Sequence, residues 1–187
     1  MLHNTFIAEN RTAQRVSNAD FRNNLFLGTD ARTGIAVLGG PTAYSTYDYN
    51  GYRPNRGADP QYTWLGPKPG VRVDYDIEPK QAPRFATLAE LAAATGQETH
   101  GIEVDYDIFE DLRAPSPPDS SKPARPYEAT SLNFRLRAGS KAVDAGVRLP
   151  NVNEGFSGRA PDLGAYELGQ PVPLYGPRWL KEQPFYR

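Results

Sequence analysis

The sequence predicts an all-β fold made of stacked coils of a parallel β-helix, with long loops and one short helix. Three short segments rich in aromatic and branched residues each carry asparagine, at residues 3–7, 21–28 and 47–53. The asparagines recur at intervals of roughly 20 to 26 residues, about one coil of such a fold. The chain also has 18 prolines and 17 glycines in 187 residues. So many turn-forming residues disfavour a helical bundle.

The asparagine spacing also indicates how the coils would hold together. A single coil cannot bury its own apolar face, so stacked neighbours would form the core. Inward asparagine side chains would then hydrogen-bond from one coil to the next as a ladder. Simple asparagine-rich turns remain the alternative, because three imperfect copies do not exclude them.

One helix is predicted near the middle of the chain. Thr87 and Glu90 have the spacing of a capping box, an apolar face follows them, and Gly96 ends the helix. The sequence Val-Asp-Tyr-Asp-Ile occurs on both sides of this helix, at residues 73–77 and 104–108. Apolar and polar residues alternate over residues 71–77, which predicts a half-exposed strand, and residues 104–108 are a second strand-like run.

Two motifs near the end of the chain occur as a pair. LNFRLRAGSKAVDAG at residues 132–146 is followed by PDLGAYELG at residues 161–169. The pair resembles the closing segment of bacterial right-handed parallel β-helix repeat proteins of the pectate-lyase-like superfamily. In those proteins a Phe-x-Leu strand leads to a Ser-x-Ala-x-Asp-Ala-Gly turn and then an Asp-x-Gly-Ala-Tyr-Glu strand.

The resemblance implies a right-handed parallel β-helix and the following organisation. Residues 1–169 would be the C-terminal part of a β-helix domain, with a loop and helix excursion at 71–126 and a closing coil at 127–169. Residues 170–187, rich in proline and aromatic side chains, would form an extended tail. The exposed first coil would need upstream coils or self-association to cover its strand edges.

The resemblance also implies a function for the parent protein. It predicts the terminal segment of a secreted or surface protein that binds or degrades polysaccharide, as a polysaccharide lyase or glycoside hydrolase. The alternative is a non-catalytic structural segment that closes the β-helix of a larger protein. Enzyme activity of this chain stays open. The parent is expected to be extracellular, cell-surface or periplasmic, although this chain opens without a signal peptide.

Aromatic residues are the main candidates for contact with carbohydrate, because their faces stack against sugar rings. They are dense before residue 65, and an arginine suited to a substrate carboxylate lies among them. The candidate residues are Tyr47, Tyr49, Tyr52, Arg53 and Trp64. Inward packing of the same rings is the alternative.

Two pairs of aspartates are candidates for acid–base catalysis. Asp74 with Asp76, and Asp105 with Asp107, each lie two residues apart in strand-like runs. On a strand such a pair lies about 7 Å apart, in the range that inverting glycosidases use. A solvated strand face has the same pattern, and it is the favoured interpretation.

Three further carboxylates belong to the closing motifs. Asp144, Asp162 and Glu167 have the chemistry of calcium ligands or of an acid–base pair. Short carboxylates also accept backbone hydrogen bonds in tight turns, and that interpretation is favoured. Calcium is therefore kept as a candidate cofactor, and no other cofactor is predicted.

Charge and composition disfavour other partners. The chain has 21 basic and 22 acidic residues, well mixed, which predicts no nucleic-acid partner. No apolar run approaches about 20 residues, so no membrane span is predicted. Cysteine is absent, which excludes disulfides and thiolate metal sites.

Overall fold

The fold is given by a computed structural model that describes residues 1–7, 11–12, 16–28, 34–115 and 132–172. Within these residues the strands are β1 (Thr5–Ile7), β2 (Arg11–Thr12), β3 (Asp20–Arg22), β4 (Leu25–Leu27), β5 (Ala36–Leu38), β6 (Thr46–Asp48), β7 (Gly51–Arg53), β8 (Tyr62–Trp64), β9 (Arg84–Phe85) and β10 (Ile102–Glu103). The α-helix α1 spans Leu88–Thr95, and a 3₁₀ helix spans Tyr106–Ile108.

The strands form three small sheets. One has the order β1-β4-β7-β10 with every pair parallel. The second has the order β2-β5-β8-β9, in which β9 runs antiparallel to β8, and the third pairs β3 with β6 in parallel. The asparagine-bearing segments therefore lie beside one another in space, as their spacing suggested.

The prediction of an all-β, right-handed parallel β-helix is wrong. The described strands are only two or three residues long, and they lie in separate parallel and mixed sheets that close no barrel. Helix α1, the 3₁₀ helix and the antiparallel β8–β9 pair give a mixed α/β-like arrangement instead. The physical reason is the loop after Trp64, which folds back on β8 and brings β9 in from the opposite direction.

Aromatic rings stack between neighbouring strands. Phe6, Phe26 and Tyr52 occupy equivalent positions in the parallel register of β1, β4 and β7. The ring centroids of Phe6 and Phe26 lie 5.3 Å apart, and those of Phe26 and Tyr52 lie 5.1 Å apart. Phe21 and Tyr47 stack in the same way at 4.7 Å between β3 and β6. Each such pair contributes about 0.5–1.5 kcal/mol beyond the burial of its area.

Side-chain amides form a hydrogen-bonded column just before β1, β4 and β7. Asn4 Nδ2 donates to Asn24 Oδ1 at 3.2 Å, and Asn24 Nδ2 donates to Asn50 Oδ1 at 2.9 Å. Asn50 Nδ2 then donates to Glu98 Oε1 at 2.7 Å. The predicted asparagine ladder is confirmed, and it ends on a carboxylate that the sequence did not single out.

Helix α1 begins and ends as predicted. Thr87 Oγ1 accepts a hydrogen bond from Glu90 N at 3.2 Å, and the Glu90 carboxylate accepts one from Thr87 N at 3.3 Å. Gly96 lies in the left-handed region with φ 69° and ends the helix. Leu88 and Leu91 are the buried residues of α1, which packs against β8 and β9.

The two repeats of Val-Asp-Tyr-Asp-Ile do not form the predicted strands. Residues 73–77 hold only an isolated bridge, from Val73 to Thr42. Residues 104–108 contain the 3₁₀ helix, for which Asp105 is the capping residue. The prediction of strands is wrong at both places because turn and cap hydrogen bonds, made by Asp74 and Asp105, replace strand pairing.

The C-terminal segment (residues 132–172) holds no strand, and its motifs form turns. It is tied to the first strands by Val147 N, which donates to Asn23 Oδ1 at 2.8 Å, and by Ala165 N, which donates to Thr5 Oγ1 at 3.0 Å. Gly164 N also donates to Asn23 O at 2.8 Å. The two strands that the resemblance implied are absent here, apart from an isolated bridge between Leu136 and Phe109.

The remaining predicted regions fall largely outside the described residues. These are residues 116–131 of the excursion and closing coil, and residues 173–187 of the tail. None of the helices in the described part of the chain is long and apolar enough to cross a membrane.

Candidate functional site

The loop between β8 and β9 encloses a groove, here named the Trp64 groove, of about 390 Å³. Trp64 and Phe85 supply its aromatic surface, and the end of α1 forms one wall. Its polar lining consists of Lys68, Asp74, Asp76, Glu78 and Gln81. An aromatic surface with a few polar groups around it is typical of a small-ligand site.

Trp64 is held in position by the core, by Gly66 and by the opposite side of the loop. Its ring meets Tyr47 edge-on, with centroids 5.9 Å apart. Gly66 lies so close that an added Cβ would be 2.2 Å from Trp64 Cζ2, so no larger residue fits there. Trp64 N donates to Pro83 O at 2.9 Å, which holds the two sides of the loop together. The indole is therefore held in place while remaining half-buried.

The acidic rim is arranged by turn hydrogen bonds. Asp74 N donates to Pro41 O at 2.8 Å, and Asp74 Oδ1 accepts a hydrogen bond from Asp76 N at 3.0 Å. Gln81 N donates to Glu78 O at 2.9 Å in the next turn. The side chains of Asp76, Glu78 and Gln81 are exposed, so their polar groups face solvent at the groove.

A second, smaller cavity of about 70 Å³ adjoins the groove and shares Asp74 and Ile77 with it. Tyr75 lines this cavity and is 78% exposed. An exposed tyrosine ring therefore lies in the cavity next to the groove.

The sequence-predicted carbohydrate residues are dispersed. Only Trp64 lies in the groove, while Tyr47 and Tyr52 are fully buried in the aromatic stacks. Burial raises the pKa of Tyr47 to about 12. Tyr49 stacks on the His100 ring at 4.4 Å.

Arg53, the fifth of these residues, is 2% exposed. Its Nη1 donates to Gly28 O at 3.0 Å, and its Nε lies 3.2 Å from Asp105 Oδ1. The guanidinium also lies over the Tyr106 ring at 5.4 Å. Arg53 thus joins neighbouring parts of the fold rather than facing the groove.

Asp105 and Asp107 both stabilise the start of the 3₁₀ helix. Burial acts to raise the pKa of Asp105, but the Tyr106 N–H and the Arg53 guanidinium outweigh it and hold that pKa below the usual value. Asp107 lies in the first turn of the 3₁₀ helix, where a carboxylate is favourable.

The carboxylates of the closing motifs accept backbone hydrogen bonds. The N–H groups of Ala160 and Arg159 hold the pKa of Asp144 below its usual value. Asp162 Oδ1 accepts from Asp144 N at 2.8 Å. Glu167 Oε1 accepts from Ser157 N at 3.0 Å. The favoured interpretation of these residues as turn acceptors is confirmed.

Glu98 is the most unusual acid in the described chain. It is 1% exposed, and Oε1 accepts from both Tyr52 Oη and Asn50 Nδ2 at 2.7 Å. Burial raises the pKa of Glu98 to about 7, against the lowering effect of these hydrogen bonds. The carboxylate also lines a cavity of about 430 Å³ under the start of α1, together with Glu103.

The two histidines have defined partners. His3 Nε2 lies 2.7 Å from Asn153 Nδ2 and 2.9 Å from Asn23 Nδ2, where it accepts from amide groups as a neutral ring. Burial lowers the pKa of His3. His100 Nδ1 lies 2.8 Å from Asp48 Oδ2. Among the residues described, no group of three or more histidines and acids is placed to hold a metal ion.

The comparisons with known proteins add no relative. No protein-family model matches the chain, and neither a curated protein nor a solved structure matches it. The resemblance to the pectate-lyase-like superfamily therefore stays a prediction. The Trp64 groove is the candidate binding site of the described chain.

Proposed function

We propose that this chain binds carbohydrate in the Trp64 groove. The observation that supports the proposal most is the half-buried indole of Trp64, held in a groove of about 390 Å³ whose rim is polar and exposed. Sugar rings present apolar C–H faces that stack on aromatic rings, and hydroxyl groups that need hydrogen-bond partners at the rim. A polysaccharide ligand would be met outside the cell or at its surface, which is the location we propose.

Binding, rather than cleavage, is the activity proposed for this groove. Asp74 and Asp76 have suitable side chains for acid–base chemistry, but Asp74 Oδ1 is already engaged by Asp76 N. A general acid and base must both be directed at the reacting bond. The two aspartates are better suited to accept hydrogen bonds from sugar hydroxyls.

Fluorescence of Trp64 provides a direct test. The chain has two tryptophans, so Trp179→Phe leaves Trp64 as the single reporter. Neutral, amino and uronic oligosaccharides are titrated, each with added calcium and with chelator. We expect a saturable change in emission with at least one class, because stacking changes the surroundings of the indole.

The two matched variants each replace an exposed tyrosine by alanine. Tyr75→Ala removes the ring that is 78% exposed beside the groove, and Tyr44→Ala removes one that is 57% exposed elsewhere. We expect Tyr75→Ala to weaken binding about tenfold, equivalent to about 1.4 kcal/mol, and Tyr44→Ala to leave it unchanged. Equal affinities for the two variants, or no saturable response, would reject the proposal.

A second proposed role is structural: the chain accepts a further parallel strand beside β1. Strand β1 is the end strand of its sheet. Each inner amide oxygen of the ladder accepts from the preceding asparagine, as Asn24 Oδ1 does from Asn4. Within the described residues Asn4 Oδ1 itself accepts no hydrogen bond. We propose that a strand carrying a side-chain amide in line with Asn4 occupies this edge.

A peptide copying residues 21–27, FRNNLFL, is the probe for this role, because it carries the ladder residue Asn24. The control peptide has leucine in place of that asparagine. We expect the asparagine peptide to shift the backbone amide resonances of β1 and to bind about tenfold more tightly. Indistinguishable affinities would show that the open amide end does not select a partner.

A further inference from the structure

We propose that the Trp64 groove selects sugars bearing amino groups over sugars bearing carboxylates. This inference rests on the proposed carbohydrate binding and adds the charge of the ligand to it. It concerns the same groove and the same aromatic surface.

The charge of the groove lining comes from three carboxylates and one ammonium group. Asp74, Asp76 and Glu78 contribute the negative charges, and Lys68 contributes the positive one. In the described part of the chain none of the three carboxylates forms an ion pair. The negative charge of the lining therefore exceeds the single positive charge of Lys68 where a ligand would lie.

The other basic residues of the same loop lie away from this lining. Arg72, Lys80 and Arg84 are exposed and do not line the groove. Arg84 and Phe85 are successive residues of β9, so their side chains point to opposite faces of the strand. Because Phe85 faces the groove, Arg84 faces away from it.

The local arrangement therefore reverses the charge balance of the loop. Residues 64–85 contain four basic and three acidic side chains, so the loop sequence alone has no acidic excess. Folding brings all three acids but a single base to the groove. Like charges brought together repel, whereas opposite charges steer and hold a ligand, and this difference gives selectivity.

The carboxylates also lie close to the aromatic surface that would hold the sugar. Asp74 lines both the groove and the adjoining cavity beside Tyr75. A sugar stacked on Trp64 would thus bring its ring substituents to the acidic rim. An ammonium group there gains charge-assisted hydrogen bonds, whereas a uronate group loses hydration among three carboxylates and only one ammonium group.

Three oligosaccharides of equal length separate the effect of charge from that of shape. Glucosamine oligomers are compared with their fully N-acetylated forms and with galacturonic acid oligomers. The titrations use the Trp179→Phe protein at mildly acidic pH, at which glucosamine units are protonated. We expect the amino oligomer to bind about tenfold more tightly than the acetylated one, and the uronic oligomer to bind most weakly. Added salt should reduce these differences.

The double variant Asp76→Asn, Glu78→Gln tests the origin of the preference. We expect it to weaken binding of the amino oligomer far more than binding of the acetylated one, so that most of the preference is lost. Lys80→Gln, which changes a charge of the same loop outside the lining, is the control and should leave the preference as it is. Equal or tighter binding of the uronic oligomer by the unmodified protein would overturn the charge inference alone. No binding of any oligomer would reject the proposed function as well.

Discussion

Replacing Asn50 by alanine is expected to lower the free energy of unfolding by about 3–5 kcal/mol. Asn50 is fully buried and takes part in four side-chain hydrogen bonds. Its loss would remove one hydrogen-bond partner each from Asn24 N, Asn24 Nδ2, Phe21 O and Glu98 Oε1. Urea denaturation followed by circular dichroism measures the change.

Asn4→Ala is the matched control, because it removes the same side chain from the half-buried end of the ladder. Asn4 Nδ2 donates to Leu2 O and to Asn24 Oδ1. We expect a loss of about 1 kcal/mol, because Leu2 is partly exposed and Asn24 Oδ1 still accepts from Asn4 N. A similar loss for both variants would mean that the buried ladder contributes no more than its exposed end.

The second large effect is a pH dependence carried by Glu98. Its pKa of about 7 lies above the value of about 4.3 expected in the unfolded chain. The folded protein therefore holds a proton that the unfolded chain has released, and this contribution is complete below about pH 4.3. It is lost as the pH rises to about 7, at a cost of about 3 kcal/mol.

Glu98→Gln removes this titration while keeping an oxygen that accepts from Tyr52 and Asn50. We expect the stability of the unmodified protein to fall relative to that of the variant between pH 4.5 and 7, and the difference to level off above pH 7. Glu154→Gln, which makes the same change at an exposed carboxylate paired with Arg148, is the matched control. Parallel stability curves for the unmodified and Glu98→Gln proteins would contradict a raised pKa.

Local features of the fold could be predicted because a short stretch of sequence determines them. The capping box of Thr87 and Glu90 and the terminal Gly96 need only neighbouring residues. The ladder of Asn4, Asn24 and Asn50 needs only a regular spacing, of 20 and then 26 residues. The fold class could not be predicted in this way, because the reversal at β9 depends on how a loop packs against β8.

The candidate site was only partly predictable for a similar reason. Trp64 could be identified as an aromatic candidate for contact with carbohydrate, but its place in one groove with Phe85 and Asp76 depends on how the loop after β8 folds back. Nothing in the sequence distinguishes Tyr47 and Tyr52 from surface tyrosines. Their inward orientation is determined by packing with residues that are distant in the chain. Glu98 gave no signal, because its partner Asn50 is 48 residues away.

The ties between the C-terminal segment and the first strands bear on the order in which the molecule assembles. Val147 and Asn23 are 124 positions apart, and Ala165 and Thr5 are 160 apart. Closing loops of that length costs more chain entropy than pairing β1 with β4, so these ties form late. The apolar side of Leu25 that shares a core cluster with Leu163 therefore stays exposed until the C-terminal segment has been synthesised and has packed.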